Sequence, residues 1–230
     1  MSLKKGLLSA SLALSAFAAP AVTGIYSPAQ AEEKTGYYGV LSIGSDSLGD
    51  PKWDTSVGGT AYGGKAQLSS EGAAYELGVG YDWGKWRTDV TYTQSDHDLD
   101  SCSETKQNAA CTTGSQGTGE LKTYMLTGYY DFPTNSKFTP YLGAGIGSTR
   151  ISPNSINVAG TNYDLDSEDT LTYQLKAGVS YEVGKKTDLL AEASYRKYDD
   201  INSDTPVAGV KFGINDIDSW GVRFGLRQRF

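Results

Sequence analysis

Polar and apolar residues alternate with a period of two in eight segments of the chain. Between Ala73 and Trp83, for example, the odd-numbered positions carry mainly Tyr, Leu and Val, and the even-numbered positions carry Glu, Gly and Asp. Successive side chains of a β-strand point to opposite faces, so this period predicts strands with one apolar face. The eight predicted strands are Gly36–Ser45, Ala73–Trp83, Trp86–Thr93, Leu121–Phe132, Phe138–Ser148, Leu171–Val183, Asp188–Tyr198 and Ser219–Phe230.

The connections between these segments alternate in length. Short turns are predicted at 84–85, 133–137 and 184–187, and long connections near 46–72, 95–119, 149–169 and 199–217. Strands of about 10 residues are long enough to cross a bilayer when tilted. Short periplasmic turns and long external loops are typical of outer-membrane barrels. We therefore predict an all-β fold, an eight-stranded antiparallel up-and-down transmembrane β-barrel, with both termini in the periplasm and the long loops extracellular.

The first 31 residues differ from this pattern. Lys4 and Lys5 precede an apolar run from Gly6 to Ala19, and the small-residue sequence Ala29-Gln30-Ala31 follows. We predict a secretory signal peptide at 1–31 and a barrel domain at 32–230, with cleavage after Ala18 as the alternative. Removing two lysines changes the formal charge from -7 to -9. Such an acidic domain argues against nucleic acid as a partner, because phosphate contacts need clustered basic residues.

The polar faces of the predicted strands are rich in charge, and acids and bases balance there. The predicted set is Glu76, Asp82, Asp89, Asp131, Glu182, Glu192, Arg87, Lys176, Arg196, Arg223, Arg227 and Arg229. A balanced set suits a narrow lumen, because unpaired buried charge is costly. Aromatic residues on the apolar faces lie close to the short turns, where a membrane interface would accommodate them. A soluble barrel or sandwich, with the apolar faces inside, is the alternative.

An eight-stranded barrel has an interior that side chains can fill. We therefore predict a lumen plugged by the charged residues together with Tyr129 and Tyr141. Strand glycines such as Gly78, Gly80 and Gly143 remove bulk and would favour a side passage for water or small ions.

Four stretches of sequence resemble a known family of membrane proteins. They are Gly128–Phe132 (GYYDF), Thr139–Gly147 (TPYLGAGIG), Tyr173–Tyr181 (YQLKAGVSY) and Val222–Phe230 (VRFGLRQRF). These residues are similar to the small outer-membrane β-barrel superfamily, which includes opacity-type porins, surface antigens and the OmpA transmembrane domain. The resemblance implies that the terminal Phe230 is part of the signal for assembly, although Gln228 stands where an aromatic residue is common.

The sequence contains few residues that suggest catalysis or metal binding. The single histidine, His97, follows Ser95 and Asp96 in the second long connection, and a solvated loop histidine is favoured over a catalytic one. We predict no catalytic residue, no metal site and no cofactor. Cys102 and Cys111, the only cysteines, are predicted to form a disulfide, because an exported protein matures in an oxidising compartment.

The long connections are acidic, and they are longer than closure of a barrel requires. We therefore predict a surface protein with a structural or adhesin-like role carried by these loops, and a low-conductance porin is the alternative. The expected partners are outer-membrane lipid and lipopolysaccharide, the barrel-assembly machinery during insertion, and a host or surface ligand at the loops.

Overall fold

The computed structural model describes ten ranges: 35–49, 52–57, 60–68, 72–104, 117–153, 156–158, 161–163, 167–204, 210–215 and 217–230. The predicted signal peptide at 1–31 lies outside these ranges and stays a prediction. Within them, every regular element is a β-strand. No helix in the described ranges is long and apolar enough to cross a bilayer.

Eight long strands form a closed antiparallel barrel. They are β1 (Thr35–Leu48), β4 (Gly72–Trp83), β5 (Trp86–Glu104), β6 (Gly117–Asp131), β7 (Phe138–Pro153), β10 (Glu168–Gly184), β11 (Thr187–Tyr198) and β14 (Asp218–Arg229). Each of these strands pairs with the barrel strand that follows it in the chain, and β14 pairs with β1 to close the sheet. The predicted fold is confirmed. The turn at Gly84 has the positive φ of +102° that favours glycine.

Parts of the long connections also form strands, which differs from their prediction as loops. These strands are β2 (Lys52–Val57), β3 (Thr60–Leu68), β8 (Ile156–Val158), β9 (Thr161–Tyr163), β12 (Ile201–Asp204) and β13 (Val210–Asn215). β5 runs to Glu104, whereas its predicted end was Thr93. The outer end of β5 pairs with β3, β3 with β2, β2 with β13, and β13 with β12. We call these four strands, with residues 99–104 of β5, the loop sheet.

The loop sheet was missed in part because two of its pairings, β2 with β13 and β3 with β5, join segments far apart in sequence. Lys52 of the first long connection pairs with Asn215 of the last one. Strand propensity depends mainly on neighbours across the sheet, so short polar segments give little sign of it on their own. The loop sheet extends the barrel at the end opposite the short turns, which we call the long-loop end.

The apolar side chains cover the outside of the barrel. Val79 is 66% exposed, whereas Asp82, on the opposite face of the same strand, is 1% exposed. Near the short turns, Trp83, Trp86 and Phe138 are also exposed on the outer wall. An apolar belt bounded by aromatic side chains is the surface that a lipid bilayer requires. The soluble alternative, with the apolar residues inside, is therefore wrong.

Three tyrosines lie flat against glycines inside the barrel. Each tyrosine stands directly opposite a glycine on the neighbouring strand, in the pairs Tyr38–Gly80, Tyr129–Gly143 and Tyr141–Gly178. A Cβ atom added at any of these three glycines would lie 2.5 Å from the ring of its tyrosine. The rings occupy the space that a side passage along these glycines would need.

Candidate functional site: the lumen and the long-loop end

The lumen near the short turns is filled by arginines and aspartates from four strands. Asp188 accepts hydrogen bonds from Arg229 Nη1 at 2.7 Å and from Arg227 Nε at 3.0 Å. Arg229 also binds Asp82 at 3.2 Å. Arg227 Nη1 approaches Asp131 at 3.7 Å, which links this group to the next level of the lumen. These ions are buried, so their mutual pairing is what makes their burial tolerable.

At the middle of the lumen, Arg87 lies between two tyrosine rings. Its guanidinium carbon is 3.7 Å from the ring centre of Tyr129 and 4.5 Å from that of Tyr141. The Arg87 Nε atom also donates to Asp131 at 3.0 Å. The faces of aromatic rings attract cations, and the attraction is stronger where water is excluded. Arg87 and the two rings thus form a compact block across the barrel.

Lys176 joins this block to the upper part of the lumen. Its ammonium group lies 2.8 Å from Glu76 and 2.9 Å from Glu192. Tyr141 donates its hydroxyl hydrogen bond to Glu192 at 3.1 Å. One lysine therefore bridges carboxylates from β4 and β11, on different sides of the barrel.

Asp46 is the centre of the upper ion-pair group. Arg223 Nη2 lies 2.6 Å from both of its carboxylate oxygens, and Arg196 Nη1 lies 2.9 Å from one of them. Arg196 also donates to Gln174 at 2.8 Å and approaches Glu76 at 3.6 Å. Two arginines on one carboxylate satisfy its charge and most of its hydrogen-bonding capacity.

Hydroxyl and apolar side chains close the lumen at the long-loop end. Thr149 lies in the middle of a row of hydroxyls, 2.9 Å from Thr123 and 2.7 Å from Thr172. Beyond this row an apolar cluster comprises Leu48, Leu121, Tyr198 and Ile217, with Ile151 packed against it. Apolar contacts of this kind exclude water from the mouth of the barrel.

Eleven of the twelve residues in the predicted charge set lie in the lumen and take part in its ion pairs. Glu182 is half-buried and stands opposite Asp188 near the short turns. Two further lumen acids, Asp46 and Asp188, were missed. The predicted first strand ended at Ser45, three residues before the end of β1, and Asp188 was assigned only as the first residue of its strand.

The position of His97 differs most from its prediction. It lies within β5 and not in a solvated loop, and its side chain is buried. Its Nε2 atom is 3.3 Å from the hydroxyl of Ser95. The ring occupies space beside Gly72, where an added Cβ would come within 2.7 Å of it. The alternation of β5 continues past Thr93, and it turns His97 into the lumen.

Other predicted features lie at the ends of the barrel. Cys102 lies in β5, but Cys111 is outside the described residues, so the disulfide stays a prediction. Phe230 is 75% exposed, and its backbone N–H donates to the carbonyl of Tyr37 at 3.1 Å. Among the residues that the structure describes, no group of three or more potential metal ligands is arranged to hold a metal ion.

A shallow cavity of about 420 Å³ lies on the outer wall near the short turns. Its outward-facing side chains include Tyr37, Val79, Val90, Leu126 and Phe230. Because these groups are almost all apolar, the cavity is suited to lipid chains and not to polar chemistry.

Comparisons with known proteins agree with this architecture. The family model described as "outer membrane protein beta-barrel domain" matches residues 9–227. The outer membrane protein PagN of Salmonella typhimurium is 34% identical over 79 residues, which are 33% of each chain, so the match spans about a third of that relative. OprG of Pseudomonas aeruginosa is similar in structure, with a TM-score of 0.57 and 18% identity over 85% of this chain and 98% of that one. Neisserial surface protein A has a TM-score of 0.54 and 19% identity over 85% and 97%. This chain belongs to the outer membrane protein β-barrel domain family.

Proposed function

We propose that the protein is a surface interaction protein of the bacterial outer membrane, whose long loops contact a partner while the barrel serves as a closed, rigid support. The observation that carries the proposal is the filled lumen. Ion pairs, an arginine held between two tyrosine rings, a row of hydroxyls and an apolar cluster follow one another along its length. Because the described side chains fill the lumen in this way, the surfaces offered to water-soluble partners are the two ends of the barrel.

The long-loop end is the larger of these surfaces. Three short turns join strands at the opposite end, whereas four long connections meet here. Two of those connections, the first and the last, are joined by backbone pairing between β2 and β13. Binding residues commonly lie on loops held by a rigid scaffold, and this arrangement fits that pattern.

The proposed surface is acidic. The connection at 199–217 contains Asp199, Asp200, Asp204 and Asp216 against one lysine, and the connection at 149–169 contains four acids against Arg150. Such a surface repels polyanions and favours cationic groups or divalent ions that bridge to lipopolysaccharide. The same proposal places both termini in the periplasm and assigns Phe230 to recognition by the assembly machinery.

A loop-replacement experiment tests the interaction role. Bacteria that display the protein are compared, for adhesion to epithelial monolayers, with bacteria displaying a variant whose four long connections are replaced by short turns. We expect adhesion of the loop variant to fall to the level of cells without the protein. A matched control replaces only the short turn at 133–137 and should keep wild-type adhesion. The proposal fails if the wild-type protein confers no adhesion, or if the loop variant retains it.

Planar-bilayer recording tests the closed lumen and thus the porin alternative. We expect the wild-type protein to show no large, steady conductance, because eight strands leave room only for side chains and the lumen holds them throughout. A variant with both Tyr129 and Tyr141 changed to alanine serves as the comparison, since it removes the two rings that flank Arg87. It should give more frequent small openings than the wild type. A steady conductance from the unmodified protein would support the porin.

A further inference from the structure

The buried carboxylates of the lumen outnumber its buried lysines and arginines. Among the described residues, seven carboxylates but only six lysine and arginine side chains are at most 10% exposed. The carboxylates are those of Asp46, Glu76, Asp82, Asp89, Asp131, Asp188 and Glu192. The lysine and arginines are Arg87, Lys176, Arg196, Arg223, Arg227 and Arg229. One carboxylate is therefore in excess over these permanent cations.

Asp89 is the carboxylate that stands apart. Each of the other six lies within 3.2 Å of a basic nitrogen. The ion pair of Asp89 is with Arg87 Nη1 at 3.9 Å, and that guanidinium is already bonded to Asp131 and stacked on Tyr129. Asp89 Oδ2 accepts a hydrogen bond from the hydroxyl of Tyr38 at 3.1 Å. Its other oxygen, Oδ1, is buried and has no hydrogen-bond partner.

Two other side chains on β5 also carry a buried polar atom without a hydrogen-bond partner. The atoms are Arg87 Nη2 and Thr91 Oγ1. Arg87, Asp89 and Thr91 occupy successive inward positions of one strand, and their side chains leave the backbone about 6.6 Å apart. The three atoms comprise a donor, an acceptor and a hydroxyl that can be either. Water can donate to or accept from each of these atoms.

We infer that ordered water lies beside Asp89 Oδ1 and that Asp89 holds a proton in the folded barrel at about pH 6, where an unperturbed aspartate is almost wholly ionised. Protonation leaves six carboxylates against the six lysines and arginines, and it removes the one charge that lacks a close partner. The groups acting on Asp89 are Lys176 from β10, Glu76 from β4, Tyr38 from β1, Tyr129 from β6 and Arg87 on its own strand. The two cations among them are already engaged by other carboxylates. The inference concerns the lumen only and is independent of the loops.

Infrared spectroscopy of the full protein in lipid vesicles tests the proton directly. A protonated carboxyl group gives a carbonyl stretching band distinct from the bands of carboxylates. We expect this band at about pH 6, a small shift of it in D₂O, and its loss from Asp89→Asn. Absence of the band from the wild type, or its persistence in the variant, would overturn the assignment.

Thermal unfolding provides a second, independent readout. An asparagine copies the shape and the neutral state of a protonated aspartate, so Asp89→Asn should unfold within about 2 °C of the wild type. Asp131→Asn is the matched control, because it neutralises a carboxylate that is bonded to Arg87 at 3.0 Å and should unfold well below the wild type. If the two variants lose the same stability, Asp89 is ionised. If added sodium or potassium stabilises the wild type but not Asp89→Asn, a cation occupies the site, which also contradicts the inference.

A crystal structure tests the inferred water molecule. A high-resolution crystal structure should show a water molecule within hydrogen-bonding distance of Asp89 Oδ1, with Thr91 Oγ1 or Arg87 Nη2 as a second partner. An empty site at a resolution that shows other buried waters would refute that part of the inference.

Discussion

Replacing Arg223 by methionine is expected to lower the free energy of unfolding by about 3–5 kcal/mol, because it leaves a buried ionic group short of one partner. Arg223 Nη2 lies 2.6 Å from both oxygens of Asp46, and Nη1 donates to the hydroxyl of Ser194 at 2.8 Å. The side chain is almost fully buried, and methionine fills part of its volume without carrying charge. The measurement is reversible urea unfolding of the protein in detergent micelles.

Arg150 offers a matched control for this substitution. It forms an ion pair of similar length with Asp169, 2.7 Å, but both side chains are more than half exposed. Solvent screens such a pair, so Arg150→Met should leave the unfolding transition unchanged within error. If the two variants lose the same free energy of unfolding, burial is not the reason that the Arg223 ion pair stabilises the barrel. The double variant Arg223→Met with Arg227→Met should lose more stability again, and it should not convert the protein into an efficient pore.

Changing Gly44 to alanine is expected to destabilise the barrel by about 3 kcal/mol or more, or to prevent its folding, because the added methyl group overlaps with backbone atoms. Its Cβ would contact the carbonyl oxygen of Val222 and would lie 2.8 Å from the Cα of Arg223. Both atoms belong to β14, the strand that closes the barrel against β1. A backbone held on both sides by strand pairing cannot move away as a side-chain tip can. The yield of folded protein is measured from the difference in electrophoretic mobility between unheated and boiled samples.

Gly128 is the control for Gly44. It also lies in a barrel strand, but the nearest atom to an added Cβ is a methyl carbon of Thr88 at 4.0 Å. Gly128→Ala should therefore fold with wild-type yield. If Gly44→Ala folds equally well, the close approach of β1 and β14 is not a constraint on sequence.

The strand alternation made most of the barrel predictable. Each wall strand has an apolar outer face and a polar inner face, and this contrast is local, so it can be detected without knowing any partner. The segment Leu171–Val183 is a clear case, since its even-numbered residues Thr172, Gln174 and Lys176 all lie buried in the lumen. The polar faces were assigned to the lumen because their six acids and six bases balance, and unpaired charge would be costly in a narrow interior.

The ion pairs inside the lumen could not be predicted from the sequence. Asp46 and Arg196 are 150 positions apart, and Lys176 and Glu76 are 100 apart, so their contacts depend on strand register and barrel curvature. Neither the register nor the curvature can be predicted from a short stretch of sequence.

The function of the inner glycines could not be predicted either. A period-two pattern places Gly143 on the inner face, but only the register shows that the Tyr129 ring lies against it.

The sharing of β5 between the barrel and the loop sheet bears on the thermodynamics of recognition. Residues 87–95 of β5 pair with β4 in the wall, and residues 99–104 pair with β3 in the loop sheet. A loop fixed by such backbone pairing has already lost much of its conformational entropy on folding. A partner that binds it does not have to supply that ordering free energy, so a modest set of contacts gives a higher affinity than the same contacts on a freely moving loop.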